Sequence, residues 1–364
     1  MAIPVAFFSG MAFTMYVTQH ASNGPSPDAR HLVGGMGLSQ DNGSVYAAVN
    51  PDTDRIYVSN EMGRTVSVID GSTNEKIADV QLDMMPTKLA INPDTNRIYV
   101  TEHLLVNNIE VNSTVAVIDG NTSTKIADIP VDGNPLVAVN PETNRIYIID
   151  RHFGPNIEEN NVEQNGTLSV IDGSTNTKIA SMPIGTGFFG MAVNPDTNRI
   201  YVLHRHFDRI DHGWHNGKVS VIDGNTDTKI ADIPVGATPM EIAVNPVTNR
   251  VYVTNYQEGT VSVIDGTDNK IADTITLKPG VEGIAVNPVT NRIYVANGIN
   301  STLYVIDGNN NTKKDEIHPL PGWSVAVNPS TDRIFVPSYF FNNISVIDGR
   351  YANIMKVIPI GTYP

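Results

Sequence analysis

Two dipeptides recur along this chain at a regular interval. Asn-Pro occurs at Asn50, Asn92, Asn140, Asn194, Asn245, Asn287 and Asn328, and Asp-Gly at Asp70, Asp119, Asp172, Asp223, Asp265, Asp307 and Asp348. Successive Asn-Pro pairs are between 41 (287 to 328) and 54 (140 to 194) residues apart. A period of that length means one supersecondary unit stacked against copies of itself, because a single unit cannot bury its own apolar face.

The unit at 243–266, AVNPVTNRVYVTNYQEGTVSVIDG, is all β by its own chemistry. Ile242 and Val244, then Val251 and Val253, alternate with smaller or polar neighbours, the period of a half-buried strand. Val261 and Val263 mark a third strand and Lys270-Ile271-Ala272 a fourth. The Asn-Pro-Val-Thr-Asn, Glu-Gly and Asp-Gly turns separate them, with glycine expected to supply positive φ. Four strands, A to D, in each of seven repeats predict an all-β fold: a seven-bladed β-propeller with four-stranded antiparallel blades.

The strings NPDTNRIYVT (Asn92 to Thr101) and SVIDGSTN (Ser169 to Asn176) are similar to the repeats of YVTN propellers, found in microbial surface-layer and secreted proteins. The resemblance covers roughly 44 to 360 with all seven repeats in register. It implies the propeller fold and an extracellular or cell-surface location. The wider group it resembles includes lactonase-type hydrolases, the propeller domain of a copper reductase and plain binding modules, so the fold alone does not choose an activity.

A net charge of −14 argues against a nucleic-acid partner, since counterion release needs a basic stripe. The absence of cysteine excludes disulfides, thiolate metal sites and cysteine nucleophiles. Residues 1–30 read as an apolar export-like segment and linker, and 31–364 as the propeller. Ala2 to Val17 is long enough for a signal-peptide core and short for a membrane span, although no basic start precedes it, so no stable span is expected in the mature form. A rival reading makes Met15 to His20 a strayed copy of strand B. Because every repeat runs from A to D, the ring is expected to close by packing between the first and last blades, with His31 to Gly35 a further candidate for closing it.

The repeat supplies an alignment within one sequence. Positions recurring in all blades carry architecture: Asn and Pro shape the A–B turn, Tyr packs between blades, and Asp opens the C–D turn. What differs is the B–C connection. Asn-Pro to Asp-Gly takes 20 residues in blade one (50 to 70) and in blades five, six and seven. It takes 27 in blade two (92 to 119), 32 in blade three (140 to 172) and 29 in blade four (194 to 223). In an up-down blade the B–C and D–A connections share one face around the channel mouth, where long loops bind ligands or do chemistry.

The three long connections hold six of the nine histidines: His103, His152, His204, His206, His212 and His215. Imidazoles and carboxylates without cysteine suit a borderline divalent ion, Zn²⁺ or Cu²⁺, with Ca²⁺ also admissible. His103, His152, His204 and His206 are the candidate ligands. Asp150 is a candidate ligand or catalytic carboxylate, and Glu102 a general base. The competing reading is that these side chains are solvated or tie the loops together. The position four before each Asn-Pro faces the channel mouth and reads Tyr46, Lys88, Leu136, Gly190, Glu241, Gly283 and Ser324. Lys88 and Glu241 break its small-or-apolar trend and are candidate ligand contacts with His212 and His215. Two functions follow: metal-dependent hydrolysis of a small lactone or ester, the substrate class that the lactonase resemblance implies, or non-catalytic binding of a small molecule or cell-envelope component.

Overall fold

A computed structural model describes residues 44–106, 109–133, 135–150, 166–208, 213–338 and 341–360. The side chains of 44–45, 105–112 and 206–214 are outside the description, as are the export-like segment and His31 to Gly35. The described residues form seven four-stranded antiparallel sheets, each a meander in chain order, and contain no helix. The protein is a seven-bladed β-propeller. In blade one, for example, A is Ser44–Asn50, B is Arg55–Asn60, C is Thr65–Asp70 and D is Glu75–Gln81.

The recurring polar residues do more than shape turns. Each Asn-Pro asparagine donates its side-chain amide to the Asn or Asp ending the next blade's A–B turn. The bonds run Asn50 to Asn96, Asn92 to Asn144, Asn140 to Asn198, Asn194 to Asn249, Asn245 to Asn291, Asn287 to Asp332 and Asn328 to Asp54. They close a complete circle on the face opposite the B–C connections. All seven donor asparagines are fully buried, so each bond satisfies a group that would be costly to leave unpaired. Arg97 and Arg145 reach over the same seams to the carbonyls of Gly173 and Gly224, at 2.6 and 2.8 Å.

The Asp-Gly glycines correct a sequence expectation. None of these seven glycines has positive φ; the left-handed residues are those acceptors, Asp54 to Asp332, and others such as Asn74 and Asn176. Asn and Asp tolerate that conformation because their short side chains bond locally. The glycine is instead required by closeness. Its N–H donates to the acceptor residue's carbonyl at 2.7 to 2.9 Å, and a Cβ at Gly71 or Gly120 would stand 2.2 or 2.3 Å from the Asp54 or Asn96 carboxamide or carboxylate oxygen.

The core is seven inter-blade interfaces rather than one centre. Tyr57, Tyr99, Tyr147, Tyr201, Tyr252, Tyr294 and Phe335 are each fully buried, each among apolar side chains of its own and the following blade. Full burial of a large apolar side chain is worth about 1.5–3 kcal/mol. Phe335, Ile344, Ile358 and Ile360 of the last blade pack with Ile56, Val58 and Ile69 of the first, and no sheet is shared between those blades. The ring closes by packing.

Two of the three long B–C connections are not loops. In blade two, strands B (Arg97–Val106) and C (Ile109–Asp119) are 10 and 11 residues long. In blade four, Arg199–Asp208 and Gly213–Asp223 are likewise 10 and 11, against six for B and for C in blade five. The extra sequence lengthens the hairpin because inter-strand bonds satisfy its backbone. In blade three the inserted residues 151–165 are outside the description.

Candidate functional site

The channel mouth is built by a bulge in strand A. In blades one, two and five, two residues of A stand opposite one of B: Val45 and Tyr46 opposite Ser59, Thr87 and Lys88 opposite Thr101, Met240 and Glu241 opposite Thr254. A bulge re-aims a side chain and leaves a backbone group unpaired. Here a hydroxyl of strand B takes that group: the N–H of Tyr46, Lys88 and Glu241 donates to Ser59 Oγ, Thr101 Oγ1 and Thr254 Oγ1 at 3.1, 2.9 and 3.1 Å. The equivalent B-strand residues in the other blades are Ile149, Leu203, Ala296 and Pro337, none bearing a hydroxyl. The hydroxyl is thus confined to the three blades that present Tyr46, Lys88 and Glu241 at the mouth.

Lys88 and Glu241 come from blades three apart, as far as a ring of seven allows. They nevertheless meet across the channel: Lys88 Nζ is 3.0 Å from Glu241 Oε2 and 3.2 Å from Oε1. Their side chains are 18% and 24% exposed. The Tyr46 ring lies beneath the ammonium, its centroid 5.1 Å from Nζ, within cation–π range. A cavity of about 150 Å³ opens at this point, lined by Tyr46, Lys88, Glu241 and Ser324 and by apolar residues including Leu136, Met191 and Ile284.

A second polar set lies on the same face. Arg205 stacks on Phe189, its guanidinium carbon 3.3 Å from the ring centroid, donates to the Pro239 carbonyl at 2.7 Å and touches the Met240 sulfur. Burial pushes the Glu282 carboxyl up to about 7, against the attraction of Arg205. Glu61 is also pushed up to about 7 by burial, and its Oε1 lies 3.9 Å from Nε2 of His103. Burial lowers the His103 pKa, so this pair favours a protonated carboxyl beside a neutral imidazole.

Among the described residues, the other predicted side chains do not meet at one point. Glu102, Asp150 and His204 occupy one repeat position, filled by Asn60, Asn255 and Asn297 in blades one, five and six. Those of blades one and five tie the B–C turn: Asn60 Nδ2 donates to Thr65 and Ser67, and Asn255 Nδ2 to Thr260 and Ser262. The substituted side chains are buried too, Glu102 and Asp150 bonding strand C as the asparagines do and His204 bonding the D–A connection instead. Glu102 accepts from Thr114 at 3.1 Å and lies 3.8 Å from Lys125 Nζ, and burial raises its pKa against the pull of Lys125. Asp150 accepts from Ser169 at 3.4 Å. His204 bonds the Thr186 carbonyl through Nδ1 at 2.8 Å and meets Phe188 edge to face, with burial lowering its pKa. His206 pairs with His215 across the extended hairpin of blade four, and the His206 side chain is outside the description. So are His152 and His212 altogether. Among the described residues, no three imidazole or carboxylate groups come close enough to hold a metal ion.

Sequence reasoning missed Glu61, Arg205 and Glu282. The internal alignment carried the signal one column away from those read. The position five before Asn-Pro reads Val45, Thr87, Pro135, Phe189, Met240, Glu282 and Trp323, with one charge among seven. The column after the turn-tying asparagine holds Glu61, His103, Arg151, Arg205 and Tyr256.

No protein-family model matches the chain and no curated protein matches it. Matching chains of solved structures number 1495, a breadth that leaves function to the site rather than the fold. One, Kuenenia stuttgartiensis hydrazine synthase, aligns with a TM-score of 0.71 over 87% of this chain and 98% of that one. At 17% sequence identity the likeness is one of fold.

Proposed function

We propose that this protein is an exported, cell-surface propeller of the YVTN-repeat kind that binds a small molecule or cell-envelope component at the channel mouth on its B–C face. The observation that carries this reading is the axial cavity, at which Lys88 and Glu241 meet from blades two and five. The bulge recurs in most blades, but the strand-B hydroxyls and the two charged side chains are local departures from the repeat, made where the ring needs none to close. Glu102, Asp150 and His204, in contrast, are engaged in the packing of their own blades. The net charge of −14 disfavours nucleic acid as the partner.

The test uses the two tryptophans. W214F leaves Trp323, one residue before the mouth residue Ser324, as sole fluorescence reporter. Titration with small polar molecules and with soluble cell-envelope glycans is expected to give a saturable change that dialysis reverses. Silence across the panel, with no binding by calorimetry, overturns the reading.

A second reading is metal-dependent hydrolysis of a lactone or ester in the sector of blades two to four. What favours it is the Glu61–His103 pair, a carboxyl that holds its proton near neutrality beside an uncharged base. Elemental analysis for Zn, Cu and Ca, then lactone and ester assays with and without chelator, separates the two. A stoichiometric metal whose removal abolishes turnover replaces the binding reading; neither metal nor turnover leaves it standing.

A further inference from the structure

The axial cavity also constrains what it can hold, and this inference rests on the binding reading above. We propose that its ligand is a small zwitterion, an α-amino acid with an apolar side chain of about alanine size. On binding, it separates Lys88 from Glu241, the carboxylate taking the ammonium of Lys88 and the ligand's ammonium taking the carboxylate of Glu241.

Charge is the first argument. Of the seven mouth residues only Lys88 and Glu241 are charged, and they are opposite in sign. Both are largely withdrawn from water. Separating such a pair for a simple anion takes the ammonium from Glu241, and for a simple cation takes the carboxylate from Lys88; breaking a largely buried pair that way is strongly unfavourable. A neutral solute supplies no substitute for either charge. A zwitterion satisfies both, exchanging one ion pair for two.

Placement is the second. The charges sit on opposite arcs of the ring yet touch at 3.0 Å, so both side chains reach inward over the cavity and retraction of either opens it. Each backbone is pinned by a strand-B hydroxyl, Thr101 for Lys88 and Thr254 for Glu241, so rotation of the side chain suffices. The Tyr46 ring keeps a π face toward the Lys88 ammonium and steadies it.

Size and polarity are the third. A cavity of about 150 Å³ accommodates benzene, with six non-hydrogen atoms; alanine has the same number. Leu89, Leu136, Met191, Ile242 and Ile284 supply the apolar part of a lining that otherwise exposes polar groups, a wall that takes a methyl or slightly larger group. An acidic or basic side chain would place a third charge against that wall.

Calorimetry on the full chain tests this, with L-alanine against propionate and ethylamine, which keep its size and lose one charge each. The variants are K88M, E241Q and the double K88M/E241M, which removes both charges together and is expected to fold because neither partner is stranded; thermal melts check this. Alanine is expected to bind the natural chain at least ten-fold more tightly than either analogue, each single variant to lose at least ten-fold, and the double to show no binding. Alanine binding that the double variant retains overturns the proposal, as does failure of alanine to bind the natural chain. If alanine fails while an uncharged or singly charged molecule still moves Trp323 fluorescence in W214F, the zwitterion falls and the binding reading survives. If nothing binds, both fall.

Discussion

The seam between the last blade and the first is the place to test what holds the ring. Asn328, fully buried, donates to Asp54 Oδ1 at 2.5 Å, whereas in the middle of the ring Asn194 donates to the neutral amide oxygen of Asn249 at 2.9 Å. Replacing either acceptor by glycine preserves the left-handed backbone, since Asp54 and Asn249 have φ of 51° and 50°. The penalty for adding a glycine to the unfolded chain is then common to both and cancels. What differs is the lost bond, about 1.5–3 kcal/mol to a charged acceptor against about 1 kcal/mol to a neutral one. D54G is therefore expected to cost about 0.5–2 kcal/mol more than N249G. Over roughly 300 residues unfolding together, an entropy of about 2.1 cal/mol/K per residue turns that into a Tm difference of about 1–3 °C. Scanning calorimetry of both variants at one pH and concentration reads it directly. If N249G melts at or below the temperature of D54G, the claim that the carboxylate reinforces the closing seam is wrong.

Three further expectations follow from the same geometry. Gly120→Ala places a methyl on the Asn96 side chain at 2.3 Å and its carbonyl at 2.8 Å; a loss of about 2–3 kcal/mol by urea denaturation is expected, and a loss below about 0.5 would refute the close-approach account of the glycine. Glu282 has a folded pKa raised from 4.5 to about 7, so the folded state binds the proton more tightly than the unfolded one and stability falls as pH rises from about 4.5 through 7. E282Q should flatten that fall in a Tm–pH series, and an unchanged slope would show that Glu282 is not its source. Restoring the asparagine of blades one and five, as E102N/D150N/H204N, is expected to keep the fold and ligand binding at the mouth; loss of binding with the fold intact would move the site to the sector of blades two to four.

The YVT threonines illustrate how far the sequence could be read. Their place in strand B followed from alternation, but that Thr101 and Thr254 receive the N–H of Lys88 and Glu241 depended on a bulge that no periodicity announces. Lys88 and Glu241 stood out because a repeat exposes whatever breaks it. Glu102, Asp150 and His204 stood out for the same reason, yet an asparagine's turn-tying place can be filled by another polar side chain, so the departure alone did not reveal its role.

By itself the sequence determined the number of blades, the four strands in each and the inward column at the mouth, because these depend on local periodicity and turn chemistry repeated seven times. Only the tertiary structure decided which blades face one another across the channel, that an ammonium and a carboxylate 153 residues apart meet there, and that seven asparagines link the blades in a circle. Those are contacts between copies of the unit, and their distances are set by the closing of the ring.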